Sequence, residues 1–203
     1  MPVRILPVAV AAAAVMAASV AAFAAPPNFD PATTERSRSR GGGGFFERLF
    51  GIDTGGSGPI RRRSVSFDPR YKPGTIVIST TERRLYLVTG EGEALRYGIG
   101  VGRIGFTWKG RHRVTAKREW PDWTPPPQML RRRPDLPRHM PGGEDNPLGA
   151  RAMYLGSTLY RIHGSNEPDT IGTAVSSGCF RLTNEDVIHL YDRVKVGAPV
   201  VVQ

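Results

Sequence analysis

The chain has 203 residues, of which 39% are hydrophobic and 8% aromatic, enough for one domain with a modest core plus additional segments. Its formal charge of +10 suits contact with an anionic cell wall or membrane surface. The arginines lack the interleaved aromatic residues and module signatures of nucleic-acid recognition, so nucleic acid is not an expected partner. The single cysteine and four histidines have no zinc-site spacing, so no metal is expected.

The N-terminus has the pattern of a secretory signal peptide. Arg4 precedes an uncharged run rich in alanine and valine, and residues 22–24 (Ala-Phe-Ala) fit the small-x-small cleavage rule. We expect cleavage after Ala24, a periplasmic location and no membrane span in the processed protein. The alternative is an uncleaved membrane anchor, because the uncharged run at residues 5–25 is almost long enough to span a bilayer.

Residues 25–70 are predicted to be a disordered linker rich in glycine and arginine, since this composition buries too little surface to offset the entropy of ordering. The aromatic insert at residues 45–50 is the exception. Its simplest interpretation is a transient helical turn without a specific role, although it could dock on the domain, a membrane or a partner. The folded domain is predicted to span residues 71–203.

The domain is predicted to be mainly β with a short helix. Three runs rich in β-branched residues and broken by turn signals indicate an antiparallel meander, and the alternating runs at residues 152–155 and 159–162 indicate a pair of strands that leads to His163. The predicted strands are residues 75–79, 85–88, 94–101, 113–119, 152–155, 159–162 and 199–202.

Residues 120–143 are predicted to be a long ordered loop or lid. Their prolines argue against both a helix and a central strand, and long loops in compact domains are often functional. Trp120 and Trp123 either line a substrate groove or are buried against the sheet.

Residues 183–194 predict a helix that supports the preceding cysteine loop. Thr183 is the expected N-cap, with Asp186 at the third position as in a capping box. Val187, Leu190 and Val194 fall on one face.

Cys179 and His163 are the candidate catalytic pair. An odd cysteine in an exported protein indicates a free reactive thiol or an intermolecular bridge, and a nearby histidine can hold a thiol as thiolate. Gly178 permits a tight turn that could direct the amides of residues 178 and 179 at an oxyanion. A buried inert thiol is the alternative for Cys179.

Residues 163–165 (His-Gly-Ser) and 176–181 (Ser-Ser-Gly-Cys-Phe-Arg) resemble the signature of YkuD-type L,D-transpeptidases, a family that includes ErfK/YbiS-like proteins. The resemblance covers about residue 72 to the C-terminus, and the cysteine follows the histidine by 16 positions. In one departure, Ser177 stands where many members have a second histidine.

The resemblance implies a β-sandwich domain in which Cys179 forms a thioester with a tetrapeptide stem of peptidoglycan, without a cofactor. A second stem then resolves the thioester into a 3-3 cross-link. Water would instead give an L,D-carboxypeptidase, and an outer-membrane protein amine would give an anchoring enzyme. A non-catalytic wall-binding module is the remaining alternative, and the oligomeric state is not indicated.

The same resemblance assigns supporting roles around the pair. The Gly164 carbonyl would orient the imidazole, with Gly178 and Ser177 supporting the loop. Arg181 would bind a substrate carboxylate or form an ion pair within the loops, for example to Glu185. The other candidate substrate contacts are Ser165, Ser176 and Tyr154.

Overall fold

A computed structural model of the protein describes residues 55, 56 and 58–203. The predicted signal peptide, its cleavage site and the insert at residues 45–50 lie outside the described residues. Within the described part of the chain, no helix combines the length and apolarity needed to cross a bilayer.

The described residues form eleven β-strands, two α-helices and one 3₁₀ turn. The elements are β1 (Arg63–Ser66), β2 (Ile76–Ser79), β3 (Arg84–Gly90), β4 (Glu93–Gly98), β5 (Val101–Gly102), β6 (Gly110–Glu119), α1 (Pro127–Arg132), β7 (Arg151–Leu155), β8 (Arg161–His163), a 3₁₀ turn (Pro168–Thr170), β9 (Ala174–Ser176), β10 (Phe180–Arg181), α2 (Asn184–Arg193) and β11 (Pro199–Val202). The predicted mainly β class with a short helix is confirmed.

Nine strands form one sheet in the order β1-β4-β3-β2-β11-β6-β7-β8-β10, and β5 pairs with β9 separately. The long strand β6 connects the two halves of the sheet, because its first residues pair with β11 and its later residues pair with β7. A register shift between Val114 and Ala116 marks the change of partner. Side chains from both halves and from α2 share one buried cluster, so the sheet folds around a single core.

The predicted meander β2-β3-β4 and the predicted pair β7-β8 are antiparallel neighbours. The predicted last strand is β11, which lies between β2 and β6 and runs parallel to β2. The run predicted at residues 94–101 is divided, since β4 ends at Gly98 and β5 belongs to the smaller sheet.

The ordered domain begins earlier than residue 71. Residues 63–66, which fall in the predicted linker, form β1 and pair antiparallel with β4. Just upstream, Ile60 packs closely on Gly98, since a Cβ built on this glycine would lie 2.5 Å from the Ile60 Cβ. Arg62 Nη1 donates to Asp186 Oδ1 at 2.8 Å. We call residues 58–66 the N-terminal segment; it packs on the domain because it supplies both an apolar contact and a buried charge.

Helix α2 begins as predicted, with the Asp186 amide donating to Thr183 Oγ1 at 3.1 Å. The carboxylate of Asp186 accepts from Arg62. At the other end, Lys117 Nζ donates to the carbonyls of Tyr191 and Val194 at 2.6 and 2.7 Å, which satisfies two carbonyls at the negative end of the helix dipole.

The lid at residues 120–143 contains a helix, which corrects the expectation that its prolines exclude one. Pro127 occupies the first turn of α1, where its missing N–H costs no hydrogen bond. The buried Asn146 side chain donates to the carbonyls of Pro121 and Pro141 at 3.1 and 2.9 Å and accepts from the Leu148 amide at 2.9 Å. One amide side chain therefore connects both ends of the lid.

Candidate active site

Parallel pairing of β8 with β10 brings the two candidate residues to one face of the sheet. Ile162 pairs with Phe180, and His163 pairs with Arg181. Cys179 precedes β10 directly, so it lies opposite Arg161 and two positions from the partner of His163. With a strand spacing of about 4.8 Å and a rise of about 3.3 Å per residue, the Cα atoms of residues 163 and 179 are about 8 Å apart. An imidazole and a thiol on the same face can bridge that separation.

The loop that carries Cys179 is fixed by hydrogen bonds on both sides of the thiol. Ser176 Oγ donates to the Cys179 carbonyl at 2.6 Å and accepts from the Gly178 amide at 3.1 Å. Trp108 Nε1 donates to the Gly178 carbonyl at 2.9 Å. Gly178 has φ +108°, and a Cβ there would lie 2.6 Å from the Tyr160 ring, so glycine is required at this position.

These bonds correct the expectation that the amides of Gly178 and Cys179 both serve as oxyanion donors. The Gly178 amide is already bonded to Ser176 Oγ and therefore holds the loop instead. Of the two amides, that of Cys179 is therefore the remaining candidate donor to the oxyanion.

His163 is buried, with 4% of its surface exposed, and its Nδ1 donates to the Gly164 carbonyl at 2.7 Å. A carbonyl only accepts, so Nδ1 carries the proton and Nε2 carries the lone pair in the neutral ring. Burial lowers the pKa of His163 to about 3, the guanidinium groups of Arg181 and Arg161 lower it too, and the carbonyls of Gly164 and Leu148 oppose them. The imidazole is therefore a neutral base at neutral pH.

The Cys179 thiol is also neutral at rest. Burial raises its pKa, and Arg161 and Arg181 oppose that rise. Its Sγ donates to the Leu159 carbonyl at 3.8 Å, while part of the side chain stays exposed. The expectation that histidine holds the resting cysteine as thiolate is therefore corrected: neutral thiol and neutral imidazole are the resting forms, because burial penalises both charges.

Arg181 forms an ion pair between loops, with Glu167 as the partner in place of the suggested Glu185. Its Nη1 donates to Glu167 Oε2 at 3.1 Å. The side chain is 21% exposed, and its Nε is buried without a hydrogen-bond partner among the described residues. An acceptor that displaces the largely exposed Glu167 would find a guanidinium with unused donors.

The serines suggested as substrate contacts are used by the loops themselves. Ser165 is buried and its Oγ accepts from the Glu167 amide at 2.9 Å, and Ser176 is buried between Gly178 and Cys179. Both hydroxyls are enclosed by backbone, and their role as substrate contacts stays a prediction. Ser177 is half-buried in the cysteine loop. Tyr154 lies under Arg161, whose guanidinium carbon is 5.1 Å from the ring centroid.

The comparison with known families decides the identity of the domain. A family model described as YkuD, L,D-transpeptidase catalytic domain, matches residues 73–202. The chain belongs to this L,D-transpeptidase family.

Individual relatives agree with that membership. The probable L,D-transpeptidase ErfK/SrfK of Escherichia coli K12 is 41% identical over 133 residues, which cover 62% of this chain and 42% of the relative. The chain thus matches less than half of that protein's length. A putative L,D-transpeptidase of Fuscovulum blasticum is 38% identical over 136 residues, covering 66% of this chain and 71% of the relative.

Among solved structures, an L,D-transpeptidase from Mycobacterium smegmatis has a TM-score of 0.51 at 22% identity, covering 64% of this chain and 58% of that one. This likeness supports the fold of the family domain.

Sequence reasoning missed the aromatic wall of the L,D-transpeptidase site. Trp108 stacks on Tyr160 with ring centroids 4.3 Å apart and contacts Phe180 at 5.4 Å. Arg132 of α1 lies over the Phe106 ring, 5.5 Å from its centroid, and the Phe106 carbonyl lies beside Gly178, so the lid contacts the segment next to the cysteine loop. The signal was Trp108 itself, an aromatic residue in a glycine-bounded loop.

Within the described residues, no group of three histidine, cysteine, aspartate or glutamate side chains is placed to hold a metal ion.

Proposed function

We propose that the protein is a peptidoglycan L,D-transpeptidase in which Cys179 is the nucleophile and His163 the general base. The observation that carries this proposal is the β8-β10 register, which sets the two residues on one face within a family domain. The hydrogen bond from His163 Nδ1 to Gly164 supports it, since it leaves Nε2 as the basic nitrogen.

In the first half-reaction, His163 Nε2 accepts the thiol proton as the Cys179 sulfur attacks the carbonyl carbon of the donor peptide bond. The tetrahedral intermediate collapses when the C–N bond breaks, and the imidazolium returns the proton to the departing D-alanine amine. The product is a thioester on Cys179. In the second half-reaction the acceptor amine gives a proton to His163, attacks the thioester and releases the thiol.

The surrounding residues support this chemistry. The Cys179 amide stabilises the oxyanion, and the Trp108-Tyr160 stack forms the apolar wall of the groove. Arg181 binds a carboxylate of the stem after exchange with Glu167, because its planar fork suits a carboxylate.

The donor substrate is a tetrapeptide stem, cleaved between the L-centre of its diamino acid and the terminal D-alanine, and the preferred acceptor is a second stem. The location is the periplasm, reached through the signal peptide at residues 1–24. The +10 charge suits the anionic wall around that substrate.

Mass spectrometry of the full chain with purified muropeptides tests the proposal. We expect a thioester adduct on Cys179 in a short incubation and a 3-3 linked dimer in a longer one. A carbapenem should acylate the same residue. Cys179→Ala should form neither adduct, and His139→Ala, which changes an exposed lid histidine, should behave like the wild type.

The products also identify the acceptor. Tripeptides without dimers would assign an L,D-carboxypeptidase, and stems attached to an added outer-membrane protein would assign an anchoring enzyme. Equal stem processing by the wild type and Cys179→Ala would refute the catalytic pair, and stem binding without any turnover would support a wall-binding module.

A further inference from the structure

Arg161 lies beside the reactive sulfur on the neighbouring strand. The Ile162-Phe180 pair fixes the register, so residue 161 is opposite residue 179 and its side chain projects from the same face. Both the backbone and the guanidinium of Arg161 lower the pKa of the thiol, as expected for a donor and a positive charge that face the sulfur.

The Leu159 carbonyl connects the two side chains. It accepts from Cys179 Sγ at 3.8 Å and from Arg161 Nη1 at 3.2 Å. When the thiol loses its proton it can no longer donate to this carbonyl, and the carbonyl oxygen would repel the thiolate. The guanidinium is the adjacent group that can bind the new negative charge.

The guanidinium is held in place and has unused capacity. It lies over the Tyr154 ring at 5.1 Å, and Tyr154 pairs directly with Arg161 between β7 and β8. Its Nε is buried with no hydrogen-bond partner among residues 58–203. A buried unpaired donor costs stability unless a partner arrives.

We propose that Arg161 supplies the counter-charge that stabilises the Cys179 thiolate during attack. This inference rests on the proposed function only for its place in the reaction, because it concerns the ionisation of the thiol itself. Two charged groups act on the sulfur, Arg161 from β8 and Arg181 from β10, and the register places His163, the pairing partner of Arg181, on the same face. His163 removes the proton, and Arg161 stabilises the charge that remains.

Alkylation of the only cysteine in the chain tests this without any peptidoglycan substrate. The rate of iodoacetamide addition is measured by intact-protein mass from pH 5 to 10, and its midpoint reports the ionisation of Cys179. Since a nearby opposite charge shifts a pKa by about 1 to 3 units, we expect Arg161→Gln to raise the midpoint by about 1 pH unit. Arg161→Lys should recover part of that rise, because it keeps the charge.

Arg111→Gln is the matched control, since it removes an exposed arginine from the part of β6 that pairs with β11. Its midpoint should equal that of the wild type, and thermal melts should confirm that each variant is folded. An unchanged midpoint in Arg161→Gln, or an equal rise in Arg111→Gln, would overturn the proposal. An unchanged midpoint with a raised KM for muropeptides would overturn it too and would assign Arg161 to substrate binding.

The role of Arg161 and the proposed function can fail independently. If the protein does not process stems but Arg161→Gln still shifts the alkylation midpoint, the role of Arg161 stands and the transpeptidase proposal fails. If stem processing depends on Cys179 while the midpoint does not move, only the role of Arg161 fails.

Discussion

His163 and Asp186 are both buried titratable side chains, yet the protein surrounds them with opposite arrangements of charge. Asp186, in the first turn of α2, forms an ion pair at 2.8 Å with Arg62 of the N-terminal segment. His163, at the active-site edge formed by β8, β10 and their loops, faces Arg161 and Arg181, whose charges have the same sign as its own protonated form. The Asp186 carboxylate has a counter-charge, while the His163 imidazole, the proposed general base, is kept neutral.

The two groups affect stability with opposite signs as pH changes. Burial lowers the pKa of His163 from 6.5 to about 3, so between these values the unfolded chain binds more protons and stability rises with pH. Burial raises the pKa of Asp186 from 3.8 to about 6, against the effect of Arg62, so over that range stability falls with pH.

Replacing His163 should have the largest effect on chemistry. We expect His163→Gln to slow acylation of Cys179 by about 10³-fold at pH 7, because a general base contributes about 10² to 10⁴. The same variant should lose the rise of stability between pH 3 and 6.5, since glutamine does not titrate. Single-turnover mass spectrometry and urea unfolding from pH 4 to 7 measure the two effects.

His139→Gln is the control, because it changes an exposed histidine 4.0 Å from Asp122. It should retain both the acylation rate and the acid slope. Fast acylation in His163→Gln would remove the distinction between the two buried groups, since neither would then be needed for chemistry.

Replacing Arg62 should have the largest effect on stability. Arg62→Met leaves Asp186 buried without this partner, and breaking a buried pair costs about 3 to 5 kcal/mol. The loss in urea unfolding should be smaller at pH 4 than at pH 7, because Asp186 is protonated at the lower pH.

Arg63→Met removes an exposed neighbour on β1 and should change stability by less than about 0.5 kcal/mol. Both arginine variants should keep the acylation rate of the folded enzyme. A slower acylation in Arg62→Met alone would show that the N-terminal segment also supports the active-site edge.

The same contrast explains what the sequence could predict. The meander, the β7-β8 pair, the Thr183 cap and the histidine and cysteine motifs are local patterns, and the structure contains each of them. The Arg62-Asp186 pair joins residues 124 positions apart, and the bond from Trp108 to Gly178 joins residues 70 apart. Such contacts depend on the tertiary fold, so β1 was predicted as linker and the aromatic wall was missed.

Asn146 tests whether the lid belongs with the active-site edge. Asn146→Ala leaves the Leu148 amide and several lid carbonyls without their partner, which should cost about 2 to 3 kcal/mol in urea unfolding. Acylation should also slow, because Leu148 lies beside His163. Asn166→Ala removes an exposed asparagine with one bond, to the Asp145 carbonyl, and should change neither quantity appreciably. Loss of stability without slower acylation would show that the lid stabilises the fold but does not support the active-site edge.

The smallest expected effect comes from one hydrogen bond at the active-site edge. Trp108→Phe removes the donor to the Gly178 carbonyl but keeps an aromatic ring against Tyr160. A neutral hydrogen bond contributes about 1 kcal/mol, so acylation should slow by about fivefold if the bond positions the cysteine loop for attack. Trp120→Phe, in the half-exposed part of the lid, should leave the rate unchanged. If Trp108→Phe lowers the free energy of unfolding by about 1 kcal/mol while the acylation rate is unchanged, the bond acts on folding alone. This contact at the active-site edge would then be purely structural, like the contacts of the N-terminal segment.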